Sequence, residues 1–310
     1  MQAHNILAVF GNPILHSKSP QLFNSAINKS GIQAFYTRIR PQSAKDIIEI
    51  IRNLPLLGAN ITAPFKEDIM KLVSIASLDA ETIGAVNTIV NSGDRLIGYN
   101  TDHYGVTQTL NEAGINLANT KCLVLGAGGA ARAAVYGLVK HGAQVYICNR
   151  THAKAKAIAN DFACKVIDWD SFSTSIEFDV VISTLLPNVL PPFFNKLSFH
   201  HLLDASYKQS KISEASKQKA VNVISGERWL LHQAAEAFKL MLNNLPDLKA
   251  MSAGLTNNLN SNNIKIKEIP KTSRDEIVSV QPQLLISTKG LNSNQIKSIS
   301  DEEISKAFGS

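Results

Sequence analysis

Long apolar runs are absent: the 310-residue chain contains no stretch of eighteen consecutive apolar residues, so no transmembrane helix is expected. Cysteine is scarce. Cys122, Cys148 and Cys164 form an odd set without a C-x-x-C pair, which argues against a zinc site and a disulfide scaffold. Such a set reads as buried, reduced thiols in a cytoplasmic protein. Aromatic residues make up only 6%, and the net charge of +6 is spread along the chain. Without a clustered basic face or an aromatic platform, nucleic acid is a poor candidate partner and small anionic ligands suit better. No repeat of solenoid period is visible. Asn5–Phe10 lacks the basic flank and cleavage site of a secretion signal and reads as a first strand entering a glycine turn. A hydrophobic share of 45% against 18% charged describes a soluble globular protein, and the length allows two domains.

What is present concentrates in a few places. Asn60-Ile-Thr62-Ala-Pro64-Phe-Lys66 puts an amide, a hydroxyl and an ammonium into one short loop and the turn after it. Pro64 pre-sets the backbone for a first helical turn, with Lys66 inside it. Asn100-Thr101-Asp102 ends the strand-like run Arg95–Tyr99 on a carboxylate. A lysine and an aspartate delivered by separate strand ends suit proton transfer to a hydroxylated small molecule. The spacing alone equally suits a surface lysine and a surface aspartate in polar loops.

Lys121–Leu125 is a short apolar run bounded by a glycine turn, the pattern of a buried parallel strand. Gly126-Ala127-Gly128-Gly129-Ala130-Ala131-Arg132 follows at once and opens a helix through Gly142. Between strand and helix this is a dinucleotide fingerprint, with Ala131 in the third glycine's place. Gly126 permits the tight turn and Gly128 lets the backbone approach a pyrophosphate, which the free N–H groups of the helix start would meet. The next strand, Gln144–Cys148, runs into Asn149-Arg150-Thr151, with Lys154 one turn on. An NAD site usually carries an acid about 20 residues past the glycines; here there is none. A guanidinium, a hydroxyl and an ammonium match a 2′-phosphate, so the expected cofactor is NADP. Capping by Thr151 beside two solvated cations is the plain alternative.

Strand and helix patterns alternate almost throughout, which argues for parallel α/β sheets. The expected organisation is a substrate-binding domain from residues 1–102 and 234–257 and a doubly wound nucleotide-binding domain from 103–233. Trp229–Met241 carries an amphipathic helix pattern. Residues 258–310 form a low-complexity extension introduced by the Asn257–Asn263 linker. Within it, Ile277–Val280 and Gln283–Ile286 are segments able to add a strand or cover a sheet edge, and Ser300 with Glu303 has capping-box spacing for a helix to Phe308.

Taken with Gly11-Asn-Pro13-Ile-Leu-His16-Ser17-Lys-Ser19-Pro20, these motifs resemble the shikimate dehydrogenase family over nearly the whole span from residue 5 to about 253. Ser19 as N-cap with Pro20 as first helical residue would make that segment an anion site. The resemblance implies that Ser17 and Ser19 hold a substrate carboxylate and that Thr62, Asn87, Asp102 and Gln233 bond substrate hydroxyls. Tyr207 would close the pocket, and Lys66 with Asp102 would form the catalytic pair; His16 is expected to be structural. Gly126, Ala127, Gly128, Gly129, Ala130, Asn149, Arg150, Thr151, Lys154, Thr184 and Arg228 would contact the cofactor, and no metal is expected. The implied activity is the reversible NADP-linked reduction of 3-dehydroshikimate to shikimate in chorismate and aromatic amino-acid biosynthesis. Lysine's ordinary pKa of about 10.4 suits it to donate the proton. The expected partner is the small-molecule substrate, with no nucleic acid and no membrane; a homodimer is left open.

Three departures lie on the nicotinamide side. Where the family has Asn-Ala-Thr-x-x-Gly-Met, this chain has Ser183-Thr184-Leu-Leu-Pro187. Its Asp204-Ala205-Ser206-Tyr207 lacks the usual methionine, and Gly226-Glu-Arg228-Trp229-Leu230 replaces Gly-x-Gly-Met-Leu. Ala205 and Trp229 could offset each other in volume. Two other readings follow from these departures: a shikimate/quinate dehydrogenase-like paralogue of altered activity, and a low-turnover ligand-binding homologue.

Overall fold

The computed structural model describes residues 5–54, 56–173 and 175–256, with the backbone of three short strands at 266–268, 277–280 and 283–287. Two compact units emerge, the described parts of Met1–Asn100 with Ala237–Ser310, and Thr101–Glu236.

The first unit opens with β1 (Asn5–Phe10), α1 (Ser19–Ser30), β2 (Ala34–Arg40), α2 (Ala44–Asn53), β3 (Leu56–Ile61) and α3 (Lys66–Met70). It continues through β4 (Ile75–Ala76), α4 (Leu78–Ile83), β5 (Thr88–Asn91) and β6 (Leu96–Tyr99). All of β1 after Asn5 is buried, as expected for a central strand. Ser43 and Asp46 close a capping box at the start of α2, which lays Ile47, Ile48, Ile50 and Ile51 into the core.

The second unit runs α5 (Asp102–Glu112), β7 (Lys121–Leu125), α6 (Gly129–Lys140), β8 (Gln144–Cys148), α7 (His152–Phe162), β9 (Lys165–Ile167) and β10 (Glu177–Ser183). A 3₁₀ turn at Phe194–Lys196, β11 (Ser198–Asp204), α8 (Lys211–Gln218) and β12 (Asn222–Ser225) follow. Helix α9 (Gly226–Leu242) starts in this unit, whereas α10 (Leu248–Thr256), β13 (Ile266–Glu268), β14 (Ile277–Val280) and β15 (Gln283–Ser287) belong to the first.

The second sheet has the order β12-β11-β10-β7-β8-β9, all pairs parallel. That is a doubly wound dinucleotide-binding order, whose reversal falls between β7 and β10. In the first sheet, ordered β13-β14-β15-β2-β1-β3-β5-β6-β4, strands β2, β1 and β3 are parallel while β5 runs against β3 and β6 against β5. The two tail segments do add strands: β15 pairs in parallel with β2, and β14 pairs antiparallel with β15.

Four details differ from expectation. α1 starts at Ser19 with Lys18 at the cap position, because the Ser17 hydroxyl takes the capping role by accepting from the Ser19 N–H at 3.3 Å. Pro64 lies in the turn Thr62–Phe65, after a cis Ala63–Pro64 bond, and α3 begins only at Lys66. Helix α6 stops at Lys140, two residues short of Gly142, whose φ of 81° ends the turn. Asp102 falls in the second unit, since α5 buries Val106 and Leu110 in that unit's core. The linker at 257–263 and the helix expected at 300–308 lie outside the described residues.

Candidate active site

Every candidate that the first unit supplies sits at one end of its sheet. β1 ends at Phe10 ahead of the serines, and β3 ends at Ile61 ahead of Thr62 and Lys66. Because β5 is antiparallel to β3, with Thr88 opposite Asn60, Asn87 arrives at the same end. This is the carboxyl edge at which open α/β sheets bind ligands.

There the side chains hold one another. The Ser17 hydroxyl donates to Ser19 Oγ at 3.3 Å, and both serines are buried. Ser19 also bonds the Tyr36 phenol, whose O–H donates to Asn60 Oδ1 at 2.7 Å. Asn60 Nδ2 donates to Thr88 Oγ1 at 3.0 Å, and that hydroxyl donates to Asn87 Oδ1 at 2.9 Å. Polar groups thus run unbroken from Ser19 to Asn87. Burial pushes the Tyr36 phenol well above its ordinary pKa, outweighing the opposing pull of Ser19 and of the Arg38 charge, so it remains an O–H donor. Arg38, itself buried, donates to the Ser17 carbonyl and to Gln21 Oε1, the latter at 3.0 Å.

Thr62 and Lys66 are tied to this edge through the backbone. Thr62 N–H donates to the Phe10 carbonyl at 2.8 Å, and Gly11 is needed beside it because a Cβ there would stand 2.4 Å from Thr62 Cγ2. The Lys66 carbonyl accepts from Val86 N–H at 3.0 Å, which locks the start of α3 to the loop carrying Asn87. His16 is exposed.

In the second unit, the turn after β7 presents mostly backbone. Gly126 has φ 112°, and a Cβ there would fall 2.2 Å from Thr184 Oγ1, whose hydroxyl donates to the Leu125 carbonyl at 3.0 Å. Only glycine fits this turn. At Gly128 and Gly129 nothing lies within 4 Å of where a Cβ would stand, and Gly128 caps α6 without any side-chain bond. At these two positions no side chain covers the start of α6, the arrangement that receives a phosphate. Ala127 and Ala130 pack against the core, and Ala131 is fully buried.

Past β8, Asn149 Nδ2 donates to the Thr151 carbonyl at 3.0 Å, while Arg150, Thr151 and Lys154 are exposed. Thr151 occupies the cap position of α7 but makes no side-chain cap bond, so simple capping does not account for it. Neither Arg150 nor Lys154 has an ion pair among the described residues. Together, glycine turn, open helix start and exposed cations fit a phosphorylated dinucleotide.

Asp102, 5% exposed, is the first residue of α5, and its carbonyl accepts the Trp229 indole N–H at 3.0 Å. Tyr207 is half-buried in a loop organised by the buried Asp204. That carboxylate accepts from Ser206 N–H at 3.1 Å, from the Ser213 hydroxyl at 2.6 Å and from the Ser210 hydroxyl. Gln233 is half-buried on α9. Arg228 lies in the first turn of the same helix. Its guanidinium engages Glu112 in a two-pronged pair, with Nε to Oε2 at 2.8 Å, and His232 adds a 3.0 Å contact to the same carboxylate. Burial works to raise the Glu112 pKa, but the bonds and charges of Arg228 and His232 outweigh it and hold the carboxyl below its usual range. Trp229 belongs to the second unit's core, with Ala205 packed against the same cluster.

Sequence reasoning left Tyr36, Arg38, Thr88, Asp204 and Glu112 unassigned. Tyr36 and Arg38 share a face of β2 at period-two spacing, a polar pair in an apolar strand that would have marked them. No cluster of metal-binding side chains and no helix apolar and long enough to cross a membrane occur among the described residues.

Comparison with known proteins yields matching family models over both halves. Residues 9–89 match the shikimate dehydrogenase substrate binding domain, and residues 108–190 match shikimate / quinate 5-dehydrogenase. The shikimate dehydrogenase (NADP(+)) of Aquifex aeolicus is 35% identical over 243 residues, spanning 76% of this chain and 90% of that protein. The enzyme of the same name from Carboxydothermus hydrogenoformans is 32% identical, spanning 81% of this chain and 96% of its own. Among solved structures, shikimate 5-dehydrogenase from Thermus thermophilus, in complex with NADP(H) and shikimate, superposes with a TM-score of 0.75 at 29% identity. That alignment spans 81% of this chain and 98% of the other.

Proposed function

Because the chain belongs to the shikimate dehydrogenase family, we propose that it catalyses the reversible NADP-linked reduction of 3-dehydroshikimate to shikimate in aromatic biosynthesis. It is an oxidoreductase acting on a CH–OH group. Ser17 and Ser19 bind the substrate carboxylate at the start of α1, while Thr62, Asn87 and Gln233 bond the ring hydroxyls. Tyr207 covers the substrate. NADPH, when bound, supplies the hydride for the ketone carbon. Lys66 delivers the proton to the oxygen that becomes the alcohol, and Asp102 orients that hydroxyl and the ammonium. In the oxidative direction Lys66 takes the proton back.

Gly126, Ala127, Gly128, Gly129 and Ala130 line the pyrophosphate, with Asn149, Arg150, Thr151 and Lys154 around the 2′-phosphate and Thr184 beside the turn. Arg228, held by its pair with Glu112, also contacts the cofactor. The three cysteines are free thiols, pushed up by burial to about 12 at Cys122 and Cys148 and about 11 at Cys164. Such inert thiols support a reducing, cytoplasmic setting.

The observation that carries the proposal is the polar chain from Ser19 through Tyr36, Asn60 and Thr88 to Asn87, at the edge that also holds Thr62 and Lys66. An absorbance assay of purified protein with shikimate and NADP tests it. Formation of NADPH is expected, with quinate and NAD much poorer; a folded protein that reduces neither cofactor would refute it.

A further inference from the structure

The first turns of α9 place Arg228 with His232 and Trp229 with Gln233, each pair four residues apart and therefore on one face. Arg228 and His232 take Glu112, the last residue of α5. Trp229 and Gln233 lie over Gly105, in the first half of the same helix. A Cβ at Gly105 would stand 2.7 Å from Trp229 Cδ1, 2.8 Å from the Trp229 carbonyl and 2.9 Å from Gln233 Cβ. No other residue lets α9 seat so closely. From that seat the indole N–H reaches the Asp102 carbonyl at 3.0 Å, with the tryptophan only 5% exposed.

We propose that Trp229 is a positioning residue for Asp102, a role that rests on the reading of Asp102 given above. A backbone carbonyl has two lone pairs, and one remains after its intrahelical bond. The indole uses it and fixes the peptide plane between Asp102 and His103, hence the direction in which the Asp102 side chain leaves the helix. An apolar side chain of similar size would fill the space and donate nothing. Arg228, His232 and Gly105 serve the same end by keeping α9 seated along α5.

Trp229→Phe in the full chain keeps a ring in the core and removes the donor. Misplacing a catalytic group by about 1 Å can cost about 10²-fold, so kcat for shikimate oxidation should fall about 10- to 100-fold. KM for shikimate and for NADP should stay within about twofold, since neither is bound through this bond. Trp229→Met, which also lacks the N–H and suits an adaptable core, must show the same split and is the variant read if Phe does not fold. Asp102→Asn separates the two ideas. If Asp102→Asn retains turnover, the reading of Asp102 fails. If it is crippled while Trp229→Phe and Trp229→Met keep kcat, or lose efficiency through KM instead, the positioning role is overturned.

Discussion

The two sheets end in opposite ways. At the carboxyl edge of the first, Ser19, Tyr36, Asn60, Thr88 and Asn87 spend their hydrogen bonds on each other. At the reversal point of the second, between β7 and β10, Gly128 and Gly129 leave open space, and Arg150 extends into solvent. The contrast follows from what each unit is asked to recognise. A small hydroxylated ring is told from its neighbours by a few fixed donors and acceptors, which must be aimed before it arrives. A pyrophosphate is met by backbone N–H groups and a helix end, which require only that nothing stand in the way.

Four substitutions would break or sharpen this contrast. Lys66→Ala carries the largest expected effect. Turnover should fall by about 10²- to 10⁴-fold with much less change in substrate affinity, as steady-state kinetics with saturating NADP would show. Unchanged kcat with raised KM would reduce Lys66 to a binding group. Arg150→Ala removes the guanidinium expected at the cofactor's 2′-phosphate. Loss of a charge-assisted bond worth roughly 1.5–3 kcal/mol should lower kcat/KM for NADP about 10- to 100-fold and leave NAD kinetics nearly unchanged. Equal losses with both cofactors would assign it a structural role.

Gly128→Ala tests openness itself. The fold has room for the added methyl, so thermal melting without cofactor should be unchanged, while KM for NADP rises about tenfold, roughly 1.4 kcal/mol. A drop in melting temperature with intact NADP binding would mean that the gap serves folding. Tyr36→Phe is the converse, since it breaks the closed network and strands the Asn60 acceptor. Denaturant titration should show a loss of about 1–3 kcal/mol, and shikimate affinity should weaken while NADP affinity holds. An undiminished stability would show the chain of bonds to be incidental.

The same contrast explains what could be read in advance. β7, its glycine turn and α6 are readable residue by residue because a backbone requirement is written as residue identity: φ 112° at Gly126 permits little else. The first unit's network is written in pairs that only folding brings together. Tyr36 and Asn60 are 24 residues apart, and nothing in either neighbourhood names the other. Ser19 was expected to cap α1, but capping depends on which hydroxyl reaches the helix, and Ser17 does. Arg228 has the charge of a phosphate ligand; its pairing with Glu112, 116 residues away, is set by tertiary packing.

The pairing of β15 with β2 has a consequence in time. During synthesis at about 5–20 residues per second, the roughly 240 residues between those strands would take on the order of 10–50 s to appear. For that interval β2 shows nascent-chain neighbours a row of unpaired N–H and C=O groups. Crowded polysomes, or any stall within the intervening codons, would lengthen the exposure, whereas a chaperone that rests on extended backbone would find its substrate there.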